Sequence, residues 1–343
     1  MNAAGRALIV RLSSLGDIVL VQPAAAALAA AGFHVELWVK PAYASLDGML
    51  PGAAKVRTEP PAVRIDWVLD LQGTRRSRRL AAGVSAGRRS RIRKRGLRRR
   101  LLVRPGGRPV FWNAWSGLAD DASVVSWTGE VLAAAGVPFT PRPPRVTPPA
   151  AAKARVRARH AVLLGGTPYA LFAPGARWPN KQWPAAHYAA LARRLWREAG
   201  LATVVAGGAD EVQTLSDVVR DAPGAAHAAG NLTLPELAAL AGDAVLAVTN
   251  DSGPMHLALA AGTKCLAFFG PTVEAFGFGP LDRERAHVLQ VDLPCRPCSL
   301  HGGRQCPLGH HRCLANISPE DAWDAAGKLL GIRGGDRSVW PTS

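Results

Sequence analysis

A short turn in the second half of the chain has residue types suited to binding a phosphate. Residues 249–256 (TNDSGPMH) follow the apolar run 244–248 and precede an Ala/Leu-rich segment. The run predicts a buried strand and the segment predicts a helix, with Asp251 and Ser252 as candidate N-cap residues and Gly253 allowing a tight turn. Backbone N–H groups at such a helix start bind anions, so we predict a phosphate site. An ordinary strand–helix turn is the alternative.

A second cluster combines cysteines with interspersed histidines. Cys295, Cys298, Cys306 and Cys313 follow the spacing C-x2-C-x7-C-x6-C, which is looser than a zinc knuckle. In a reducing compartment, four thiolates at this density favour a structural zinc or iron site. An irregular loop with reduced thiols, or with one disulfide, is the alternative. We predict a role outside the chemistry in either case.

The net charge of +17 is concentrated in one part of the sequence. Residues 71–119 contain fifteen Lys or Arg residues and no Asp or Glu. Such a patch favours a polyanionic partner, which is a nucleic acid, an anionic lipid surface or a phosphorylated substrate. A general preference for arginine on solvated faces is the alternative.

Composition indicates a globular protein of two domains. The chain has 343 residues, of which 48% are hydrophobic, and no apolar run approaches the ~20 residues needed to span a bilayer. The apolar run near the start is too short for a signal peptide. We therefore expect a cytoplasmic protein.

Alternating strand and helix patterns predict an α/β fold built from two doubly wound, Rossmann-like domains that face each other across a cleft. In the first half, strands are predicted at 6–12, 33–39 and 66–70, with helices at 18–31, 42–47 and 127–135. In the second half, strands are predicted at 169–173, 202–206 and 244–248, and a strand with its turn at 264–271; helices are predicted at 185–199, after residue 211 and from 234. The proline-rich segment 137–149 predicts a linker, so the domains are placed at residues 1–145 and 146–335. No G-x-G-x-x-G motif follows the first strand.

Six short motifs carry a resemblance to a known family, and they occur in the family's order along nearly the whole chain. They are LIVRLSSLGDI at 8–18, DLQG at 70–73, PGARW at 174–178, KQWP at 181–184, NDSGPMHL at 250–257 and FGPT at 269–272. On these motifs the chain resembles the bacterial lipopolysaccharide heptosyltransferases of glycosyltransferase family 9. The resemblance implies a GT-B fold and an inverting, metal-independent transfer of heptose from a nucleotide donor, typically ADP-heptose, to the lipopolysaccharide inner core.

The resemblance gives Asp17 the role of general base. A carboxylate at the carboxyl end of a strand, facing the cleft, can take the proton of an acceptor hydroxyl as the new bond forms. The alternative is that Asp17 only caps the helix that follows it.

The resemblance also identifies a donor site in the second domain. Lys181 matches a phosphate-contacting lysine, Glu211 matches a ribose-contacting acid, and Ala176 replaces a frequent Ser or Thr. The implied donor-binding residues are Gly175, Ala176, Lys181, Glu211, Asp251, Ser252, Gly253 and His256. For His256, a packed structural role is equally compatible with the sequence.

On the acceptor side, the implied residues are Ser14, Gly16, Gln72, Arg75 and Arg76. The partners are then a nucleotide-sugar donor, a lipid-linked anionic saccharide and an anionic membrane surface, which Arg91 to Arg100 would face. This predicts an enzyme peripheral to the inner membrane that needs no cofactor for catalysis.

Two other functions are compatible with parts of the sequence. A GT-B nucleotide-sugar epimerase shares the predicted fold, although the Asp17 loop matches the transferases better. A nucleic-acid-binding protein would explain the charge, but not the phosphate turns of the second domain, and no nucleic-acid-binding motif is present.

Overall fold

The computed structural model describes residues 4–93, 102–103 and 123–332. The first lobe contains one parallel sheet with strand order β3-β2-β1-β4-β5. Its strands are β1 (Ala4–Val10), β2 (Phe33–Trp38), β3 (Lys55–Arg57), β4 (Ile65–Asp70) and β5 (Ala86–Arg91). Its helices are α1 (Leu15–Leu20), α2 (Gln22–Ala30), α3 (Arg75–Ala82) and α4 (Val124–Ala133), with a 3₁₀ turn at Pro41–Leu46.

The second lobe contains a parallel sheet with strand order β11-β10-β9-β6-β7-β8. Its strands are β6 (Tyr169–Ala173), β7 (Ala202–Val205), β8 (Ala226–Ala228), β9 (Leu246–Asn250), β10 (Lys264–Phe268) and β11 (Ala286–Leu289). Its helices are α5 (Ala150–Leu164), α6 (Ala185–Ala199), α7 (Val212–Asp221), α8 (Leu234–Asp243), α9 (Gly253–Ala260), α10 (Arg312–Ala315) and α11 (Pro319–Leu330). Short 3₁₀ turns lie at Pro179–Lys181, Ala209–Glu211 and Glu274–Phe276. Of the helices in the described parts of the chain, none has the length and apolar character to cross a bilayer.

In each sheet, the order in which successive strands are added reverses direction at one strand. In the first lobe, β1 pairs with both β2 and β4; in the second, β6 pairs with both β7 and β9. Loops that leave neighbouring strands at such a point diverge to opposite sides of the sheet and leave a crevice at the carboxyl edge. The fold therefore predicts ligand-binding loops after β1 and β4, and after β6 and β9.

Both sheets are held by strands that are buried on both faces, as covered parallel sheets require. In β1, residues Ala7 to Val10 are fully buried, and all five residues of β9 are buried. The second-lobe core is rich in aromatic rings, with Trp183 stacked on Phe268 at 4.1 Å between ring centroids. The apolar core of the first lobe also includes Leu257 and Ala260 from α9, so the two lobes share packed surface.

The predicted helix at 18–31 is wrong, because the structure has two helices there. α1 ends at Leu20 and α2 begins at Gln22, with Val21 between them. Pro23 has no backbone N–H to continue the first helix, but it suits the first turn of a new one. The predicted helix at 42–47 is likewise a 3₁₀ turn.

Strand β5 and helix α5 were not predicted from the sequence. β5 reads AGRRSR and has no apolar alternation, because as the last strand of the sheet it faces solvent with most of its side chains. Charged residues on an edge strand also discourage pairing with other chains.

The proline-rich segment has neither helix nor strand between residues 137 and 149, as predicted for a linker. Its backbone is bonded to both lobes: Val146 N–H donates to Ala260 at 2.9 Å, and Thr147 N–H donates to Met49 at 2.8 Å. A domain boundary at 145/146 remains our proposal.

Candidate active site

A cavity of about 450 Å³ lies between the lobes, where the carboxyl edges of the two sheets face each other. We call it the cleft. From the first lobe it is lined by Ser13, Ser14, Gly16, Asp17 and Gln72. From the second lobe it is lined by Ala176, Arg177, Trp178, Lys181, Asp251, Ser252, Gly253, His256, Thr272, Val273, Phe276, Phe278, Leu300 and His301. The predicted base and most of the predicted donor residues are therefore brought to one cavity.

Asp17 lines the cleft and also caps α1. Its Oδ2 accepts hydrogen bonds from the backbone N–H of Ser14 at 3.0 Å and from the Ser14 hydroxyl at 2.9 Å. Its Oδ1 accepts from the guanidinium of Arg11, a buried side chain that also donates to the carbonyl of Leu71. The capping role that was the alternative is thus present, and it fixes the carboxylate at the edge of the cleft.

Lys181 and Asp251 form an ion pair inside the cleft. The distance from Lys181 Nζ to Asp251 Oδ2 is 2.6 Å, and the hydroxyl of Thr272 donates to the same oxygen at 2.6 Å. Only 13% of the Lys181 side chain and 9% of the Asp251 side chain are exposed. Asp251 therefore holds the lysine side chain in position and does not cap α9. Of the two predicted N-cap candidates, Asp251 was thus wrong.

Ser252 is the N-cap residue of α9, but its side chain makes no capping bond. Its Oγ is buried and has no hydrogen-bond partner among the residues that the structure describes. Because the first N–H groups of a helix also have no intrahelical partner, the start of α9 presents unused donors beside Lys181. This is the arrangement that favours a bound phosphate.

His256 lies in the first turn of α9 and is 6% exposed. Burial lowers the pKa of its imidazole, and the charge of Lys181 acts in the same direction, against the opposing effects of Asp251 and Asp17. The ring is therefore neutral near pH 7. It contacts the first lobe at Gly16, where an added methyl group would lie 2.5 Å from His256 Cδ2.

Gly175 and Glu211, predicted to bind the donor, do not line the cleft. They pack against each other, and the Glu211 carboxylate accepts from the backbone N–H of Gly208 at 2.8 Å. Burial raises the pKa of Glu211. The bond from Gly208 closes the 3₁₀ turn that carries Glu211, and a ribose contact of its carboxylate stays a prediction.

Arg75 and Arg76, predicted to bind the acceptor, also lie outside the cleft lining. Both are exposed in the first turn of α3, which starts after Thr74 and leads away from Gln72. Of the predicted membrane-facing segment Arg91 to Arg100, residues 94–100 lie outside the described residues.

The cysteine segment is closer to the cleft than predicted, since its residues Leu300 and His301 line it. Backbone and side-chain bonds between Asn180 and Gly303, the shortest at 2.8 Å, fix the segment against the turn that carries Lys181. The central loop of the segment therefore borders the cleft, and the expectation that the segment takes no part in the chemistry stays a prediction.

The four cysteines of this segment are free thiols. Burial raises the pKa of Cys298 to about 11 and that of Cys313 to about 12, with neighbouring cysteines adding to both. In residues 4–93, 102–103 and 123–332, no group of three or more His, Cys, Asp or Glu side chains is arranged to hold a metal ion. The predicted zinc or iron site does not fit this arrangement.

Asn250 is a residue of the site that sequence reasoning missed. It is fully buried; its amide donates to the carbonyl of Pro174 at 2.7 Å, and its Oδ1 accepts from the backbone N–H of Trp183 at 2.9 Å. Asn250 thus joins the end of β9 to both ends of the loop that carries Lys181. Its place beside Asp251 at the end of an apolar run was the available signal.

Comparison with known proteins identifies the class and then the family. The structure of a glycosyl transferase family 9 protein from Veillonella parvula superposes with a TM-score of 0.76 at 20% identity, covering 96% of this chain and 98% of that one. The structure of Escherichia coli ADP-heptose LPS heptosyltransferase II superposes with a TM-score of 0.67 at 20% identity, covering 94% and 98%. The two facing parallel sheets are a GT-B fold.

The model of glycosyltransferase family 9 (heptosyltransferase) matches residues 62–310, and the chain belongs to this family. Lipooligosaccharide heptosyltransferase 2 of Haemophilus influenzae is 32% identical over 183 residues, which is 50% of each chain. Matches to the curated relatives span from 25% to 53% of the relatives' own length.

Proposed function

We propose that this chain is an inverting heptosyltransferase that moves heptose from ADP-heptose to an inner-core sugar of lipopolysaccharide. The observation that carries the proposal is the shared cleft, where a first-lobe carboxylate and a second-lobe anion site meet. The burial of His256 between them supports this closeness, because the charges of both Asp17 and Asp251 act on its imidazole.

The second lobe would hold the leaving group. As the bond between the sugar and the diphosphate breaks, negative charge grows on the diphosphate. The N-terminus of α9, the Ser252 hydroxyl and Lys181 would stabilise that charge. A bound phosphate can replace Asp251 as the partner of the Lys181 ammonium with little movement of the lysine side chain. The Thr272 hydroxyl would still donate to the Asp251 carboxylate.

The first lobe would activate the acceptor. Asp17 takes the proton from the acceptor hydroxyl while that oxygen forms its bond to the anomeric carbon, and the bond to the diphosphate breaks on the opposite face. One displacement of this kind inverts the anomeric centre. The guanidinium of Arg11 fixes the carboxylate during the transfer.

The acceptor and the location are also proposals. Family membership and the relatives' printed names support a lipopolysaccharide acceptor. The arginine-rich residues 71–119 support attachment to an anionic membrane surface, where each Lys or Arg near the surface contributes ~1 kcal/mol to the binding free energy.

Two variants test the proposed division of labour between the lobes. Asp17→Asn keeps an oxygen for the Ser14 bonds but loses the base, so transfer from ADP-heptose should fall by about 10²- to 10⁴-fold with ADP affinity unchanged. Lys181→Met should instead weaken ADP by at least about tenfold while leaving adenosine affinity unchanged. Calorimetry and a transfer assay on lipopolysaccharide core acceptors give both readouts.

The result is informative only if both variants fold, which circular dichroism and the melting temperature check. Near-wild-type transfer by Asp17→Asn would remove the base assignment. Unchanged ADP affinity in Lys181→Met would remove the donor site.

A further inference from the structure

A buried arginine of the cysteine segment (residues 295–313) is bonded to a turn that borders the cleft. Arg296 is 7% exposed. Its guanidinium donates to the backbone carbonyls of Gly270, Thr272 and Val291 and to the side-chain oxygen of Gln290. Burial lowers the pKa of this guanidinium, because an enclosed charge is costly. The acceptors are neutral oxygens, so these bonds supply a fixed arrangement of the groups around the guanidinium.

The turn at residues 270–272 has all three of its backbone carbonyls bonded from the cysteine segment. The two outer carbonyls accept from Arg296. The middle one, of Pro271, accepts from the backbone N–H groups of Cys298 at 3.1 Å and Ser299 at 3.2 Å. Because these three residues belong to neither a helix nor a strand, the path of the turn depends on the contacts from this segment.

Thr272 links this turn to the ion pair of the cleft. Its carbonyl accepts from Arg296 at 3.0 Å, and its hydroxyl donates to Asp251 Oδ2 at 2.6 Å. The same carboxylate oxygen is 2.6 Å from Lys181 Nζ. A series of direct bonds therefore connects Arg296 to Lys181, the residue that we propose to bind the diphosphate.

The cysteine segment also holds the turn on which Lys181 lies. Asn180 Oδ1 accepts from the backbone N–H of Gly303 at 2.8 Å. At Gly302, an added methyl group would lie 2.8 Å from Lys181 Cδ, so the backbone of the segment packs closely on the lysine side chain. One segment thus supports both members of the Lys181–Asp251 pair.

We propose that Arg296 is a positioning residue for the donor diphosphate. By fixing the turn at residues 270–272 it places the Thr272 hydroxyl, and through Asp251 it places the Lys181 ammonium where the phosphates bind. The inference rests on the proposed function, because it takes a nucleoside diphosphate to bind at Lys181. A planar guanidinium suits this task, since its N–H donors point in fixed directions and can hold several carbonyls at once.

Arg296→Lys tests the proposal, because it keeps the charge but cannot span the same acceptors. ADP affinity measured by calorimetry should fall by about tenfold, with adenosine affinity unchanged. The KM for the nucleotide donor should rise by a similar factor in a transfer assay. A structural role alone would reduce the folded fraction and hence kcat, with ADP affinity and KM unchanged, and that result would overturn the proposal.

Tyr169→Phe is the matched control. It removes another buried bond to a backbone carbonyl of the second lobe, from the Tyr169 hydroxyl to Leu240 at 2.7 Å, and Tyr169 does not line the cleft. It should lower the melting temperature and leave ADP affinity unchanged. If it weakened ADP as much as Arg296→Lys does, the effect would be one of general destabilisation and the proposal would be wrong.

Thr272→Val tests the route by which Arg296 acts, because it removes the hydroxyl that bonds Asp251. In this background Arg296→Lys should weaken ADP by less than about threefold, since coupled residues are not additive. Equal losses in the two backgrounds would show that Arg296 does not act through Thr272, which would overturn the proposal.

Gln290→Ala gives a milder test that does not depend on the folding of Arg296→Lys. Gln290 is exposed, and its side chain accepts from Arg296 at 3.0 Å. Without this acceptor the guanidinium is held less firmly, so ADP affinity should fall by about threefold. An unchanged affinity would contradict the proposal.

Wild-type titrations with ADP, UDP and GDP keep this inference apart from the proposed function. Wild-type ADP binding that Arg296→Lys leaves unchanged would overturn the inference and leave the proposed function in place. If the wild type bound UDP or GDP instead, the proposed donor would be wrong, and a loss of that nucleotide in Arg296→Lys would still support the role of Arg296.

Discussion

At the residue scale, Asp17 caps α1 and is also the residue that we propose as the general base, two roles that sequence reasoning had set against each other. One oxygen caps α1 through Ser14 and the other is held by Arg11. A base that must meet an acceptor hydroxyl benefits from such fixed placement, because misplacement of a reacting group lowers the rate steeply. Capping is thus the means by which the chain aims this carboxylate.

The burial of His256 predicts a specific dependence of stability on pH. Burial lowers its pKa in the folded protein, whereas the unfolded chain has a value of about 6.5. Between these two values the unfolded chain binds a proton that the folded chain does not, so stability rises with pH in that window. The contribution is lost progressively as the pH falls below about 6.5.

His256→Gln removes this titration while keeping a polar side chain of similar reach. Urea unfolding at pH 7 and pH 5 should show a larger loss of stability for the wild type than for the variant. His160, whose pKa is also lowered by burial, is present in both proteins and cancels in the comparison. Equal losses of stability in the two proteins would show that His256 binds a proton as readily in the folded protein as in the unfolded chain.

At the element scale, two helix starts with the same N-cap residue type should respond differently to alanine. In α11 the Ser318 hydroxyl accepts from the backbone N–H of Asp321 at 3.0 Å, whereas the Ser252 hydroxyl of α9 makes no hydrogen bond within the described part of the chain. Ser318→Ala should cost about 1 kcal/mol of stability and leave ADP affinity unchanged. Ser252→Ala should leave stability unchanged and weaken ADP by about tenfold.

Urea unfolding and calorimetry measure the two effects in the same preparations. Ser216→Ala, an exposed position within α7, controls for the general effect of replacing serine in a helix. If Ser252→Ala lost as much stability as Ser318→Ala, the hydroxyl would be capping α9 and would not be available to a ligand.

Most elements with a buried apolar face were predicted, although α11, which buries Ala322, Trp323 and Leu330, was not. Helix α6 matches its prediction from Ala185 to Ala199 because it carries an apolar stripe and ends at Gly200. Strand β5 was missed because arginine spacing carries no burial signal. The break at Val21 was missed because the alanine-rich sequence continues through it, and only Pro23 marks it.

At the scale of the whole molecule, the two lobes lie close together because glycines occupy the points where they meet. A methyl group at Gly16 would lie 2.5 Å from His256, and one at Gly253 would lie 3.0 Å from Leu15 Cβ. Gly16→Ala should therefore push the lobes apart, although alanine favours the helix itself by about 0.5–1 kcal/mol. Transfer should fall by roughly ten- to a hundredfold, with the second lobe's ADP affinity less affected.

Gly242→Ala is the matched control, since an added methyl group in α8 meets only ordinary contacts at 3.7 Å. It should keep full transfer activity and equal or greater stability. Unimpaired transfer by Gly16→Ala would show that transfer does not require the close approach of the two lobes seen in this structure. Small-angle scattering of both variants with ADP measures the separation directly.

The sequence predicted the cleft because the residues that line it follow apolar strands in both halves. It could not predict the hydrogen-bond partners of each carboxylate, such as the bond from the backbone N–H of Gly208 to Glu211. Contacts between residues far apart in the sequence, such as Asn180 with Gly303, could not be predicted from the sequence either. They bring the cysteine segment to the cleft.

Helix α9 has different partners at its two ends. Its first turn faces the space proposed for the diphosphate, and its last residue, Ala260, accepts the backbone bond from Val146 in the connection between lobes. Eight residues make a rod of about 12 Å, too short and too well packed to bend. We therefore expect any shift of α9 on nucleotide binding at one end to move the backbone bond to Val146 at the other end, and with it the connection between the lobes.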